Sequence, residues 1–189
     1  DNILLIDGAM ATYYSHTTGN QPSMCERANL DTPEIITSIH TEYIAAGARL
    51  IRTNTFAANT SAQNSTFDHV RSLIEGAVAC SKEATAGSDS SIAASIGPIS
   101  DSERSDDDIL NEYRMIIDLF TKEEIDIFWF ETFSEYEIVM KLAAYCKELN
   151  PSATCAGLFS LNTYGYTRSG HSREAIIKAT HELLAEKGG

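Results

Sequence analysis

No stretch of this chain stays apolar for the roughly 20 residues that a membrane-spanning helix needs. Its first apolar run, Ile3–Ile6, is short, lacks a basic lead and ends in Asp7, so it does not read as a signal peptide. Basic residues are scarce: 14 Lys and Arg stand against 27 Asp and Glu, a formal net charge of -13. Such a surface repels phosphate backbones and anionic lipid, so neither nucleic acid nor a membrane is an expected partner. Cysteine is sparse as well. Cys25, Cys80, Cys146 and Cys155 form no CxxC and no Cys/His cluster at metal-ligand spacing, so no metal site is expected from them. Cys80 and Cys146 sit among Ala, Val and Leu at helical positions, where a free thiol packs as a small core residue. Reduced thiols point to the cytoplasm.

Helical and strand-like segments alternate along the 189 residues, with no repeat or linker to mark a second domain, so residues 1–189 are expected to form one domain. Short apolar runs at Ile3–Ile6, Arg49–Thr55, Ile92–Ile99, Ile125–Phe130 and Thr154–Leu161 read as strands. Amphipathic stripes after them read as helices. One helix opens at Thr32-Pro33-Glu34, with Thr as N-cap and Pro at its first position, and stops at Gly47. Another is expected to begin with a Ser134/Glu137 capping box and to stop at Asn150-Pro151, and the last to run from Ser172 to about Lys187. Residues 13–31 are polar and irregular and read as a loop or lid. The acidic run Asp101–Asp108 reads as a solvated lead into a helix, with Asp107 and Asp108 at its N-terminus.

Continuous apolar strands alternating with helices predict a parallel sheet buried on both faces. No GxGxxG or P-loop follows the first strand, which argues against a nucleotide-binding doubly wound sheet. Instead, polar residues end most strands, as in a parallel α/β barrel that builds its active site at the strands' C-terminal ends. The prediction is therefore an α/β fold, a parallel (β/α)8 TIM barrel present as about five βα units. A closed barrel takes about 250 residues, so the expectation is an incomplete barrel whose open edge favours self-association.

The strand ends nominate Asp7, Gly8 and Ala9 after the first strand, Thr53 and Asn54 after the second, and Glu131 after the fourth. Glycine permits close backbone approach, so the N–H groups of Gly8 and Ala9 could receive a carboxylate. Glu131 could pair with an ammonium, or serve as an interstrand ion pair. Asp7 could contact a substrate or form the turn before Gly8. Thr53 and Asn54 could line the same pocket or tie strand ends together. His16, His40, His69, His171 and His181 show no paired spacing and read as surface residues. Arg168 and His171 lie in YTRSGHS after the last strand, an exposed loop that could border a site, and Trp129 reads as packing.

Taken together, LLIDGAMAT, AGARLIRTNTFAAN, ASIGP and FWFETF resemble the homocysteine S-methyltransferase family in order and spacing. That family includes the homocysteine-binding barrel of methionine synthase and the betaine- and S-methylmethionine-using enzymes. Ala11 stands where the family usually has glycine. The resemblance implies transfer of a methyl group from a donor to the zinc-activated thiolate of homocysteine, giving methionine, with homocysteine as the small-molecule substrate. The donor could be folate, methylcobalamin, S-methylmethionine or betaine. Zinc in that family is held by a cysteine in a Gly-x-Asn-Cys context and an adjacent pair in Gly-Gly-Cys-Cys-Gly. Neither motif occurs here, so the expectation is a chain truncated before the zinc ligands, with no catalytic and no metal-binding residue of its own. Alternatives are a non-catalytic homocysteine-binding or assembly module, and a barrel lyase or hydrolase using Asp7 and Glu131 as acid and base.

Overall fold

The computed structural model describes residues 3–186 apart from Pro22 and Met24. Its sheet has four strands, β1 (Leu50–Arg52), β2 (Ser91–Ile96), β3 (Ile127–Phe133) and β4 (Thr154–Phe159). All are parallel and lie side by side in chain order. The expected first strand is reduced to one parallel bridge, Ile6 to Leu50. Its pairing is still that of a strand: Arg49 N donates to Leu5 O at 2.8 Å, and Asp7 N to Leu50 O at 3.0 Å. Gly8 and Ala9 then turn away toward a helix, so the ladder has no room to extend. Sequential parallel order with no reversal is the topology of an arc of a barrel.

Eight helices accompany the sheet in the described residues: α1 (Met10–Thr18), α2 (Ala28–Asp31), α3 (Pro33–Ala45), α4 (Thr60–Gln63), α5 (Phe67–Thr85), α6 (Asp106–Lys122), α7 (Tyr136–Leu149) and α8 (Arg173–Glu186). The first two correct the expectation of an irregular 13–31 segment. Helix α1 follows Ala9 in extended conformation and ends at Gly19, whose φ of 74° lets its N–H cap Ser15 O at 2.8 Å. Its weak polarity pattern hides a helix that buries Tyr14 alone.

Capping is also uneven. Ser105 Oγ accepts from Asp108 N at 3.2 Å, and Asp106–Asp108 fill the first turn of α6 where the macrodipole favours them. The Ser134/Glu137 box is absent: the cap of α7 is Glu135, without a side-chain cap bond. Thr32 precedes Pro33 of α3, yet its hydroxyl makes no cap bond and is buried without a partner among the described residues. Pro33 presets the first turn there, so the helix starts without that bond.

Alternation in the strands sorts the side chains. Phe128 and Phe130 of β3 point to the helix layer, where they pack with Val70, Ile74, Val78, Ile117, Phe120, Leu142 and Cys146. A smaller cluster joins Tyr14, Cys25, Ala28, Ile36, Ile39 and Cys80 between the N-terminal helices and α5. The opposite face carries Arg52, Ser95, Trp129 and Glu131, fixed by the pairings Arg52 with Ala93 and Ser95 with Trp129. Trp129 is half-buried, with its indole N–H unpartnered among the described residues. Directly after Glu131, Thr132 adopts φ 57° and the β3–β4 register shifts, which returns Phe133 to the core. No helix is long and apolar enough to cross a membrane among the described residues.

Candidate functional site

Arg52, the last residue of β1, organises the strand ends. Its Nε donates to Asp7 Oδ1 at 2.7 Å, and its backbone N to Asp7 Oδ2 at 2.9 Å. Nη1 reaches Glu131 Oε2 at 2.8 Å, and Nη2 reaches Gly8 O at 2.9 Å. Ser95 Oγ donates to the second oxygen of Glu131 at 2.7 Å. One planar guanidinium thus ties three strand ends together, which its fork of donors suits. Burial raises the Asp7 carboxyl pKa, and the bonds and charge of Arg52 offset only part of that rise. Burial works against the Arg52 charge, but Asp7 and Glu131 overcome it and hold the guanidinium above its ordinary pKa.

Thr53 and Asn54 are buried beside this triad and already bonded. The hydroxyls of Thr53 and Thr55 meet at 2.7 Å, Ser95 N donates to Thr53 Oγ1 at 3.1 Å, and Thr55 Oγ1 donates to Ser95 O at 2.7 Å. Asn54 Nδ2 donates to Cys25 O at 2.7 Å and to Asn29 Oδ1 at 2.8 Å, and Asn54 Oδ1 accepts from Cys25 Sγ at 3.0 Å. Asn54 therefore fastens the segment before α2 to the end of β1. Burial, with the nearby Glu26 charge, pushes the Cys25 thiol up to about 12 against the Asn54 bond. It is a packed thiol, far from a nucleophile's range.

Asp7, Gly8, Ala9, Thr53, Asn54 and Glu131 all line one cavity of about 270 Å³, together with Arg52, Ser95, Thr55 and Glu26. A Cβ at Gly8 would stand 2.8 Å from the Tyr43 hydroxyl, so a larger residue there would have to displace that ring. Among the described residues no acceptor meets the N–H of Gly8 or Ala9. Glu26, which is 6% exposed, accepts from Ala57 N at 2.9 Å. Burial raises its pKa against its backbone hydrogen bonds.

Four of these residues, Arg52, Ser95, Thr55 and Glu26, escaped the sequence reading. Arg52 was legible as a charge in an apolar strand on the parity of a pocket residue, and Ser95 as a hydroxyl between small residues of β2. Glu26 carried no such signal, since it lies outside the strand ends.

Elsewhere the histidines divide. His16 is exposed, His69 and His171 are half-buried, and the side chain of His181 lies outside the described residues. His40 corrects the surface expectation. It is fully buried, its Nε2 is 3.4 Å from Ser81 Oγ, and its Nδ1 lacks a partner among the described residues. Arg168 is exposed. His171 sits near Glu135 at 3.9 Å and Glu137 at 3.5 Å. Among the described residues this is the one group of side chains spaced to share a cation, and it contains no cysteine. Cys25 is bonded to Asn54, Cys80 faces Pro33 O, and Cys146 pairs with Cys155. The described cysteines therefore do not fit a zinc-thiolate site, which needs its ligands gathered at about 2.3 Å from the metal.

The fold has known counterparts. The crystal structure of the homocysteine methyltransferase MmuM from Escherichia coli in metallated form matches with TM-score 0.80 and 22% identity, covering 98% of this chain and 71% of that one. Its apo form matches with TM-score 0.75 and 23% identity, covering 98% and 68%. Both likenesses establish the fold, an incomplete parallel barrel. No curated protein matches in sequence. The family model described as homocysteine S-methyltransferase matches residues 4–185, and the chain belongs to that family.

Proposed function

We propose that this chain binds homocysteine at the C-terminal ends of β1–β3 and serves transfer of a methyl group from a donor to its sulfur, giving methionine. The observation that carries the reading is one cavity with both complements of an amino-acid zwitterion. Glu131, held by Arg52 and Ser95, offers its remaining lone pairs to the ammonium. The unfilled N–H groups of Gly8 and Ala9, at the start of α1, suit the carboxylate. Asp7 holds Arg52, and Thr53 and Asn54 hold the strand ends that shape the wall.

Fixing the amino-acid end orients the sulfur for in-line attack on a methyl carbon. Zinc, which the family resemblance implies, supplies a thiolate at neutral pH when it binds the sulfur. The cysteines among the described residues do not fit that metal, so the part left to this chain is to bind and orient the amino acid. The tie of Asp7 and Glu131 to Arg52 favours binding over a lyase or hydrolase using them as acid and base. Cysteines without a disulfide fit a reducing compartment, and we assign the protein to the cytoplasm.

Calorimetry with L-homocysteine and with 4-mercaptobutyrate, which lacks the amino group, tests the reading. Glu131→Gln keeps the shape and removes the charge. Truncating one partner of a desolvated charge pair costs about 2–5 kcal/mol, so homocysteine affinity should fall roughly tenfold or more. Binding of 4-mercaptobutyrate should change far less. Equal loss for both thiols makes Glu131 a structural residue and removes the assignment.

A further inference from the structure

The carboxylates around the cavity are not equivalent. Asp7 and Glu131 share the charge of Arg52. Glu26 is as withdrawn from water as Asp7, each 6% exposed, yet its bonds are to backbone N–H groups alone, those of Ala57 and of Glu26 itself. Among the described residues no lysine, arginine or histidine forms an ion pair with it. A buried carboxylate without a cation is costly, and proteins normally pair it or neutralise it. Here it lines the same cavity as Glu131. Counting formal charges on the walls, Asp7, Glu26 and Glu131 against Arg52 leave an excess of negative charge, which favours a cationic group inside.

We propose that Glu26, in the wall of the same cavity as the triad, is a second carboxylate for the substrate ammonium, and that it sets the preference for amino thiols over simple thiols. This rests on the homocysteine reading above and adds the residue that supplies the uncompensated charge. An ammonium carries three donors. Glu131 can take one with lone pairs that Arg52 and Ser95 leave open, and Glu26 takes another. The cost of burying Glu26 unpaired is then recovered when the cation arrives, so that site occupancy and charge compensation are the same event.

Three probes on the whole chain test it: L-homocysteine, 4-mercaptobutyrate without the amino group, and 3-mercaptopropylamine without the carboxylate. Glu26→Gln can still accept from Ala57 N through its amide oxygen and removes the charge. It should weaken homocysteine and 3-mercaptopropylamine by roughly tenfold or more and leave 4-mercaptobutyrate nearly unchanged. Its melting temperature should equal or exceed that of the wild type. The gap between the two proteins should close as pH falls from neutrality toward the ordinary carboxylate value of 4.5, because burial makes the wild type take up its proton above that value.

Unchanged homocysteine affinity in Glu26→Gln overturns the proposal while leaving the homocysteine reading intact. Wild type that binds 3-mercaptopropylamine but not homocysteine sinks that reading and keeps Glu26 as a cation-binding residue. Wild type that binds no amine sinks both. If Glu26→Gln fails to fold, the wild-type titrations decide: a preference for homocysteine over 4-mercaptobutyrate that stays constant across this pH range overturns the proposal.

Discussion

The cavity at the strand ends and the cavity at the β4 edge differ in kind. At the strand ends, about 270 Å³ is walled by Asp7, Arg52, Ser95 and Glu131, each with fixed partners. At the β4 edge, between α7 and α8, about 650 Å³ is walled by Val139, Met140, Ala143, Cys155 and Phe159, with Lys147 its one charged lining residue among the described residues. Among the described residues the larger space has no convergent polar groups with which to orient a substrate. The smaller one has donors and acceptors locked in place before any ligand arrives. Volume alone does not locate chemistry; fixed polar groups in a concave wall do.

The sharpest way to break this contrast is to remove the cation. Arg52→Met keeps much of the side-chain volume but leaves Asp7 and Glu131 buried without compensation. Breaking a buried pair by deleting one partner costs about 3–5 kcal/mol, so urea unfolding should show a loss of that order. Adding Asp7→Asn and Glu131→Gln to Arg52→Met should recover a large share of it. A loss under about 1 kcal/mol for Arg52→Met, the range of solvated ion pairs, would mean that the triad is open to water and that the strand-end wall is not preorganised.

Much of this wall was legible in the chain. Apolar runs ending in Asp7, Asn54 and Glu131 located three strand ends, and those residues do line one cavity. Parallel order followed from continuous rather than alternating apolar strands. What stayed hidden was pairing across the sheet. Nothing local in LIRTN says that Arg52 will reach both Asp7 and Glu131, since they lie 45 and 79 positions away. Helix α1 was missed for a different reason: it buries Tyr14 alone, so its stripe is too thin to read. The Ser134/Glu137 box failed because capping depends on how the chain leaves β3, and the register shift at Thr132 sets that exit. His40 was misplaced because a polar residue inside the Ile36/Ile39 stripe of α3 looks like a surface interruption until α5 packs over it.

That histidine sharpens the comparison from the other side, as a buried polar group whose Nδ1 has no partner among the described residues. Desolvation lowers its pKa to about 4 from the ordinary 6.5. The folded protein therefore holds His40 neutral where the unfolded chain takes up a proton. Stability from this group is complete above about pH 6.5 and is lost as pH falls toward about 4. A pKa lowered that far corresponds to roughly 3 kcal/mol between the two ends of the range. His40→Leu should abolish that part of the acid sensitivity in denaturant titrations run at successive pH values. An unaltered pH profile would mean that His40 is protonated within the fold and has a partner there.

The smallest effect is expected at the apolar cavity. Ala143 lies half-buried on α7 and faces it. Ala143→Leu adds three carbons where space exists, and leucine is nearly as good a helix former as alanine. Full burial of a methylene yields about 0.8 kcal/mol, but this wall is partly open to water. A gain of about 0.5–1 kcal/mol is the expected result, typical of cavity-filling changes. Homocysteine affinity should stay within about twofold of wild type, since the strand-end cavity shares no lining residue with this one and distant, unconnected sites act independently. A loss of stability would show that α7 already sits tightly on β4 and that overpacking outweighs burial. A marked change in homocysteine affinity would show that the two regions are coupled through β3, whose Phe130 packs toward one cavity while Glu131 lines the other, and the contrast between them would no longer hold.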